Sequence, residues 1–371
     1  MAERTCLLKD NVCRPATRAA GRQRLLALVG ALLLGGCSGA GYYLQAANGQ
    51  MDLLARRQPI AELLASPGTD AALHERLRAV AELREFAVAE LALPDNGSYR
   101  SFVALDRPYV VWNVFAAPEL SLAAHEWCYP FLGCLAYRGY FQEVPARAEA
   151  QRLQAQGLDT WVAGVPAYST LGWLDDPVLS TFVHWPLGRV AELIFHELAH
   201  QRLFVSGDST FNESYATVVG RQGAERWLRQ RGDSEALAVY LRDRQRRDRY
   251  LDLAMGARAR LETVYAAPGS EDDKRAQKRA LFGELGRQYG RWRQHWGSSP
   301  AHERMVGGGN AWLAAIGTYQ QWLPAFTTML EATGGDFATF HRAVEALAAQ
   351  SPALRSASLE ALQPRQVSLS R

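Results

Sequence analysis

The sequence predicts an α+β fold, a small antiparallel sheet followed by a mainly α-helical body. Two observations carry this. Aromatic and β-branched runs cluster between about residues 97 and 172, and three- and four-residue apolar spacing dominates from Leu187 to the end. In chain order, MDLLARRQPIAELLA and ALHERLRAVAELREFAVAEL carry apolar residues at helical spacing. SYRSFVAL and YVVWNVFA are strand-like and flank Asp106-Arg107-Pro108, which predicts a hairpin. CLAYRGYF reads as a further strand, ARAEAQRLQAQG as a helix stopped at Gly157, and DTWVAGVPAYSTLG as one or two strands. Helices are then expected from Leu187 to Gly207, from about Thr210, over 234–265 and 272–297, and in the pair GNAWLAAIGTYQQWLPAFTTMLEATGG and DFATFHRAVEALAAQ. No linker or internal repeat divides residues 37–350, so one domain is expected, with residues 351–371 a weakly ordered tail.

The N-terminus has the order of an export signal. Arg14, Arg18, Arg22 and Arg24 precede a short apolar run from Leu25 to Leu34, too short to span a bilayer. The following Leu34-Gly35-Gly36-Cys37 resembles a bacterial lipobox. That resemblance implies cleavage after residue 36, a lipid on the Cys37 thiol, and, with Ser38 next, an outer-membrane location facing the periplasm. An uncleaved anchor and a cut at another small residue are the alternatives. Of 41 basic and 38 acidic residues, six and two lie in residues 1–36, leaving 35 and 36 and a net charge of −1. That balance gives no electrostatic case for nucleic acid. Beyond Cys37 only Cys128 and Cys134 remain, with Pro130 and Gly133 between them. In an oxidising compartment a disulfide is the expected pairing, and no second pair exists for a four-cysteine metal site.

The chemistry concentrates in His196-Glu197-Leu198-Ala199-His200. On a helix, residues four apart share a face, so both imidazoles can reach one Zn²⁺, with Glu197 placed to take a proton from water. Three protein ligands are usual for a catalytic zinc. A metzincin is excluded because Leu203 and Ser206 stand where that motif needs Gly and His. The acidic candidates for third ligand are Glu213 and Asp208. Phe211-Asn212-Glu213-Ser214-Tyr215-Ala216 resembles the Asn-Glu-x-aromatic-Ala signature of gluzincins such as aminopeptidase N, which favours Glu213. Glu213 lies only 13 residues beyond His200, a shorter interval than in that family.

With these motifs in place, the chain resembles the bacterial putative aminopeptidase lipoprotein family. The matching segments are Gly41-Tyr42-Tyr43-Leu44-Gln45-Ala46, LGCLAYRGYF, GVPAYSTLGWLDDPVLSTF, FHELAHQ, GDSTFNESYAT and GNAWLAAIGTYQQWLPAF. The resemblance implies a zincin-like domain with one Zn²⁺ per chain, a peptide substrate and membrane attachment through the N-terminal lipid. It implies Glu197 as general base and an oxyanion donor from a later helix, for which Tyr319 is the first candidate, against Tyr215, Tyr265, His341 and Tyr289. Asn310 is expected to line the site or cap its helix. An edge strand upstream of the active-site helix pairs with substrate in zincins, which points to Ala167, Tyr168 and Ser169. An aminopeptidase needs acids for the substrate ammonium; Asp175 and Asp176 are near in sequence, but nothing in the sequence places them in the cleft. Aminopeptidase, endopeptidase, cell-wall amidase and non-catalytic metal scaffold all stay open.

Overall fold

The computed structural model describes residues 41–129, 133–296 and 308–363. The expected signal over 1–36, the lipid site at Cys37 and residues 364–371 lie outside the described residues. Residues 41–51 are helical and cluster as a unit of their own; the rest of the chain, from Asp52, forms the second. No described helix is long and apolar enough to cross a membrane.

In the second unit, β1 (Gln58–Pro59) interrupts what reads as one amphipathic segment, because Pro59 lacks the N–H a continuing helix needs. Helix α1 (Ile60–Ala65) follows, then α2 (Ala71–Ala89), whose N-terminus is capped by the Asp70 carboxylate accepting from Leu73 N–H. Strand β2 (Ser101–Val103) and β3 (Val111–Pro118) do not form the predicted hairpin. Both edges of β2 are taken, by β1 antiparallel and by β8 (Val178–Leu179) parallel. Both edges of β3 are taken too, by β6 (Arg138–Tyr140) and β7 (Leu158–Val165), each antiparallel. The two halves of the expected hairpin therefore serve different sheets. Between β3 and β6, β4 (Trp127–Tyr129) and β5 (Gly133–Leu135) pair with Cys128 opposite Cys134, and a disulfide joins the two. Helix α3 (Glu143–Gln154) leads into β7.

The helical body is α4 (Leu187–Arg202), α5 (Ser209–Arg231), α6 (Ser234–Ala266), α7 (Glu271–Trp296), α8 (Gly309–Gln320), α9 (Leu323–Ala332), α10 (Phe337–Ala348) and α11 (Pro352–Leu362). Within the expected tail, residues 352–362 form helix α11. Pro352 suits its first turn, Leu359 is buried, and the buried Arg355 pairs with the partly buried Asp208. The main core gathers around α4 and α5, where Val190, Ile194, Phe195 and Leu198 meet Phe211, Tyr215 and Val219. A second cluster lies where α6, α7 and α8 pack, around Leu261, Leu285 and Trp312. The arginine-rich stretch of α6 is tied to its neighbours. Its guanidiniums pair with acids: Arg244 with Glu225, and Arg247 with Glu192.

Candidate metal centre

Helix α4 is built by its spacing. Val190, Ala191, Ile194, Phe195, Leu198 and Ala199 form a continuous buried stripe. That stripe fixes the rotation of the helix, and with it the direction of His196 and His200. Helix α5 starts at Asp208, whose carboxylate accepts from Phe211 N–H. The connection between the helices, residues 203–208, is held by Asn212. Its Nδ2 donates to the Val205 carbonyl and its Oδ1 accepts from Val205 N–H, both at 2.8 Å. Gly207 supplies the left-handed turn at φ +79°. This fastening lets so short an interval return Glu213 to the histidines.

The helices also approach closely. A Cβ at Gly220 would lie 2.5 Å from the Glu192 carbonyl oxygen and 3.2 Å from His196 Cβ. Any side chain there would drive α5 away from the turn that carries His196.

Three ligand atoms converge. His196 Nε2 lies 3.2 Å from Glu213 Oε2, His200 Nε2 3.4 Å from the same oxygen, and the two Nε2 atoms 3.1 Å apart. Among the described residues, His196, His200 and Glu213 form a His/Glu group able to hold a metal ion. Burial alone would raise the Glu213 pKa, but the charges and hydrogen bonds of His200 and His196 outweigh it and bring it down to about 2. Burial pulls the His196 pKa down, and the Glu213 hydrogen bond and charge push it up by more. Burial raises the Glu197 pKa, with Glu213 adding to it and both imidazoles opposing. The centre is thus a buried carboxylate against two imidazoles, with a second carboxylate beside it.

The ring of Tyr319 stacks beside His196 at 6.4 Å between centroids and 20° between planes. Burial, then the charges of Glu213, Tyr137 and Glu197, raise its pKa well above 10, so the hydroxyl keeps its proton. Its rivals are occupied elsewhere. Tyr215 Oη lies 2.9 Å from His341 Nδ1, and His341 Nε2 lies 2.8 Å from the Leu91 carbonyl. The carbonyl can only accept, so His341 donates from Nε2 and Tyr215 donates to Nδ1. Tyr265 donates to Asn310 Oδ1, and Tyr289 packs edge-on to Tyr250.

Four expectations need correction. Asp208 is no ligand, because one oxygen caps α5 and the other takes two bonds from Arg355, at 2.8 and 3.0 Å. Asn310 neither caps nor lines the centre. Its Nδ2 lies within 3.0 Å of the carbonyls of Pro118, Glu119 and Ser121, which ties α8 to the end of β3. Ala167, Tyr168 and Ser169 are not on a strand, since β7 ends at Val165. Ala167 is buried, Tyr168 packs edge-on to Phe141, and Ser169 donates to Asp176. Strands β7 and β8 are both sheet edges upstream of the histidine helix, and neither includes these three residues. Finally, Asp176 is not a free acid. It is 2% exposed and accepts from Ser169 Oγ, Thr170 N–H, Thr170 Oγ1 and Gln201 Nε2. Sequence reasoning passed over Gly220 and Gln201. Gln201 adjoins His200 and was open to notice, whereas nothing local marks Gly220.

An α+β protein whose adjacent helices bring two histidines and a glutamate together, beside a second glutamate, is a candidate metalloprotein. The chain belongs to the family described as "Putative aminopeptidase", whose model matches residues 41–359. Membership supports a peptidase role. No curated protein and no solved structure matches the chain.

Proposed function

We propose that this chain is a zinc-dependent metallopeptidase of the cell envelope, acting as an aminopeptidase. The observation that carries the zinc reading is the spacing of the three ligand atoms. Bonds of 2.0–2.1 Å at tetrahedral angles separate neighbouring ligands by about 3.3–3.4 Å. The separations here are 3.1, 3.2 and 3.4 Å. His196, His200 and Glu213 would hold the ion and leave the fourth position for water or substrate. When bound, zinc supplies Lewis-acid polarisation of the scissile carbonyl and a lowered pKa for water.

The remaining work falls to the chain. Glu197 takes a proton from the attacking water and delivers it to the departing amine nitrogen. Its burial, which raises its proton affinity, suits a group that must hold that proton between the two steps. Tyr319 donates its hydroxyl to the carbonyl oxygen as negative charge develops. A lipid on Cys37 would hold the enzyme to the outer membrane, facing the periplasm; this part rests on the sequence alone.

The test is one preparation of residues 38–371 beside Glu197→Gln and Glu213→Ala. The expected result is about one zinc per chain in the parent and in Glu197→Gln, with peptide hydrolysis lost in the latter. Zinc should be lost in Glu213→Ala. Zinc and activity retained in Glu213→Ala would overturn the ligand assignment, and no hydrolysis of N-terminally free or blocked peptides by the parent would overturn the peptidase reading.

A further inference from the structure

Among the described residues, strands β4 and β5 form a sheet of their own, three residues to a strand. A two-stranded ribbon that short is marginal by itself in water. One end of it is anchored, since Trp127 is buried and its indole N–H donates to Glu149 Oε1 at 3.4 Å. Trp127 pairs with Leu135, Cys128 with Cys134 and Tyr129 with Gly133, so the disulfide sits midway along the ladder. The Gly133 end lies against the connection between the two ligand-bearing helices. A Cβ at Gly133 would lie 2.7 Å from Ser206 Oγ and 2.8 Å from the Gly207 backbone nitrogen. Its φ of +75° requires glycine as well.

That connection returns Glu213 to the histidines. Asn212 precedes Glu213 and bonds in both directions to Val205, the residue before Ser206. Ser206 and Gly207 are exposed, so the hairpin backbone braces a stretch that no core encloses. While the disulfide is closed, Gly133 has a fixed place on it. With the bond open, only a three-pair ladder holds the two strands together.

We propose that Cys128–Cys134 is a thiol-exchange site that sets the metal affinity of the centre. Closed, the bond keeps the hairpin on Ser206 and Gly207 and Glu213 in position; reduced, it releases that brace. The co-reactant is a dithiol. Cys128 is exposed, which gives a thiolate access to the bond. The thiolate attacks Cys128 Sγ, the S–S bond breaks, and the Cys134 sulfur leaves and takes a proton. The second thiol of the reductant then attacks the mixed disulfide, Cys128 leaves and is protonated, and the reductant departs as a disulfide, two electrons and two protons poorer. The inference rests on His196, His200 and Glu213 being the zinc ligands.

The test is zinc titration of residues 38–371 against a chromophoric chelator, oxidised and after reduction by a phosphine. Reduction should weaken zinc binding about tenfold, the low end of what a loosened ligand support costs. Cys128→Ser/Cys134→Ser, which also removes the thiols as rival ligands, should match the reduced parent with or without reductant. Gly133→Ala, its disulfide intact, should weaken binding too. Zinc affinity unchanged by reduction overturns the proposal. A second measurement needs no metal: amide exchange in EDTA. The Val205 N–H should exchange faster on reduction, while amides within α4 and α5 keep their protection. Unchanged exchange at Val205, or a rise spread evenly through both helices, overturns the proposal. A parent that binds no zinc in either state overturns the ligand assignment instead, and faster exchange at Val205 still upholds the hold of the disulfide on the connection.

Discussion

Asp176→Asn sets burial directly against hydrogen bonding. The Asp176 carboxyl is 2% exposed and four donors point at it, yet burial prevails and its pKa rises from 3.8 to about 6. A folded-state pKa above the unfolded one means the fold binds the proton more tightly. Stability from this group is therefore fully present below about pH 4 and is lost as pH rises through about 6. At 1.36 kcal/mol per unit, the loss between pH 4 and pH 8 is about 3 kcal/mol. The asparagine variant cannot titrate. Its one acceptor oxygen, at the Oδ2 position, can still take Gln201 Nε2 and one branch of the Thr170 N–H bond, but the new amide NH2 at the Oδ1 position faces the other branch of that obligate donor. That costs about 1–3 kcal/mol at every pH. Asp176→Asn should thus be clearly destabilising at pH 4 and close to neutral at pH 8. Urea unfolding of both proteins at the two pH values measures this, in EDTA so that metal occupancy does not vary. A difference that is the same at both pH values, or that grows with pH, would show that the four donors govern the carboxyl and that burial does not.

Gly220→Ala should weaken zinc binding at least several-fold and lower the melting temperature, because the new Cβ meets the Glu192 carbonyl at 2.5 Å and must push the two ligand-bearing helices apart; metal titration and calorimetry read both effects. Tyr215→Phe leaves His341 Nδ1 buried without its donor and should cost about 1–3 kcal/mol in urea unfolding, with kcat unchanged. A large loss of kcat there would move the oxyanion role from Tyr319 to Tyr215. Arg355→Met removes the guanidinium from Asp208 and should lower the melting temperature while zinc stays at about one per chain; loss of zinc would return Asp208 to the ligand set.

The sequence by itself determined the fold class, the helical body, and the two histidines of the centre, because these are written in local periods. Spacing of four puts His196 and His200 on one face, and the apolar stripe around them fixes which way that face turns. Only the tertiary structure decided the rest. Strand partners were misread because pairing is non-local: β2 and β3 look like a hairpin until β8 and β7, far along the chain, occupy their edges. Glu213 could be named from its motif, but the sequence could not place it beside the histidines. The hydrogen bonds from Asn212 to Val205 and the bare face of Gly220 bring it there, and both depend on the packed helix pair. Asp208 and Asn310 looked like site residues because their side chains suit that work. Both are committed elsewhere: the fully buried Asn310 spends its amide on the carbonyls that packing puts within reach, and Asp208 is held by the helix N-terminus it caps and by Arg355.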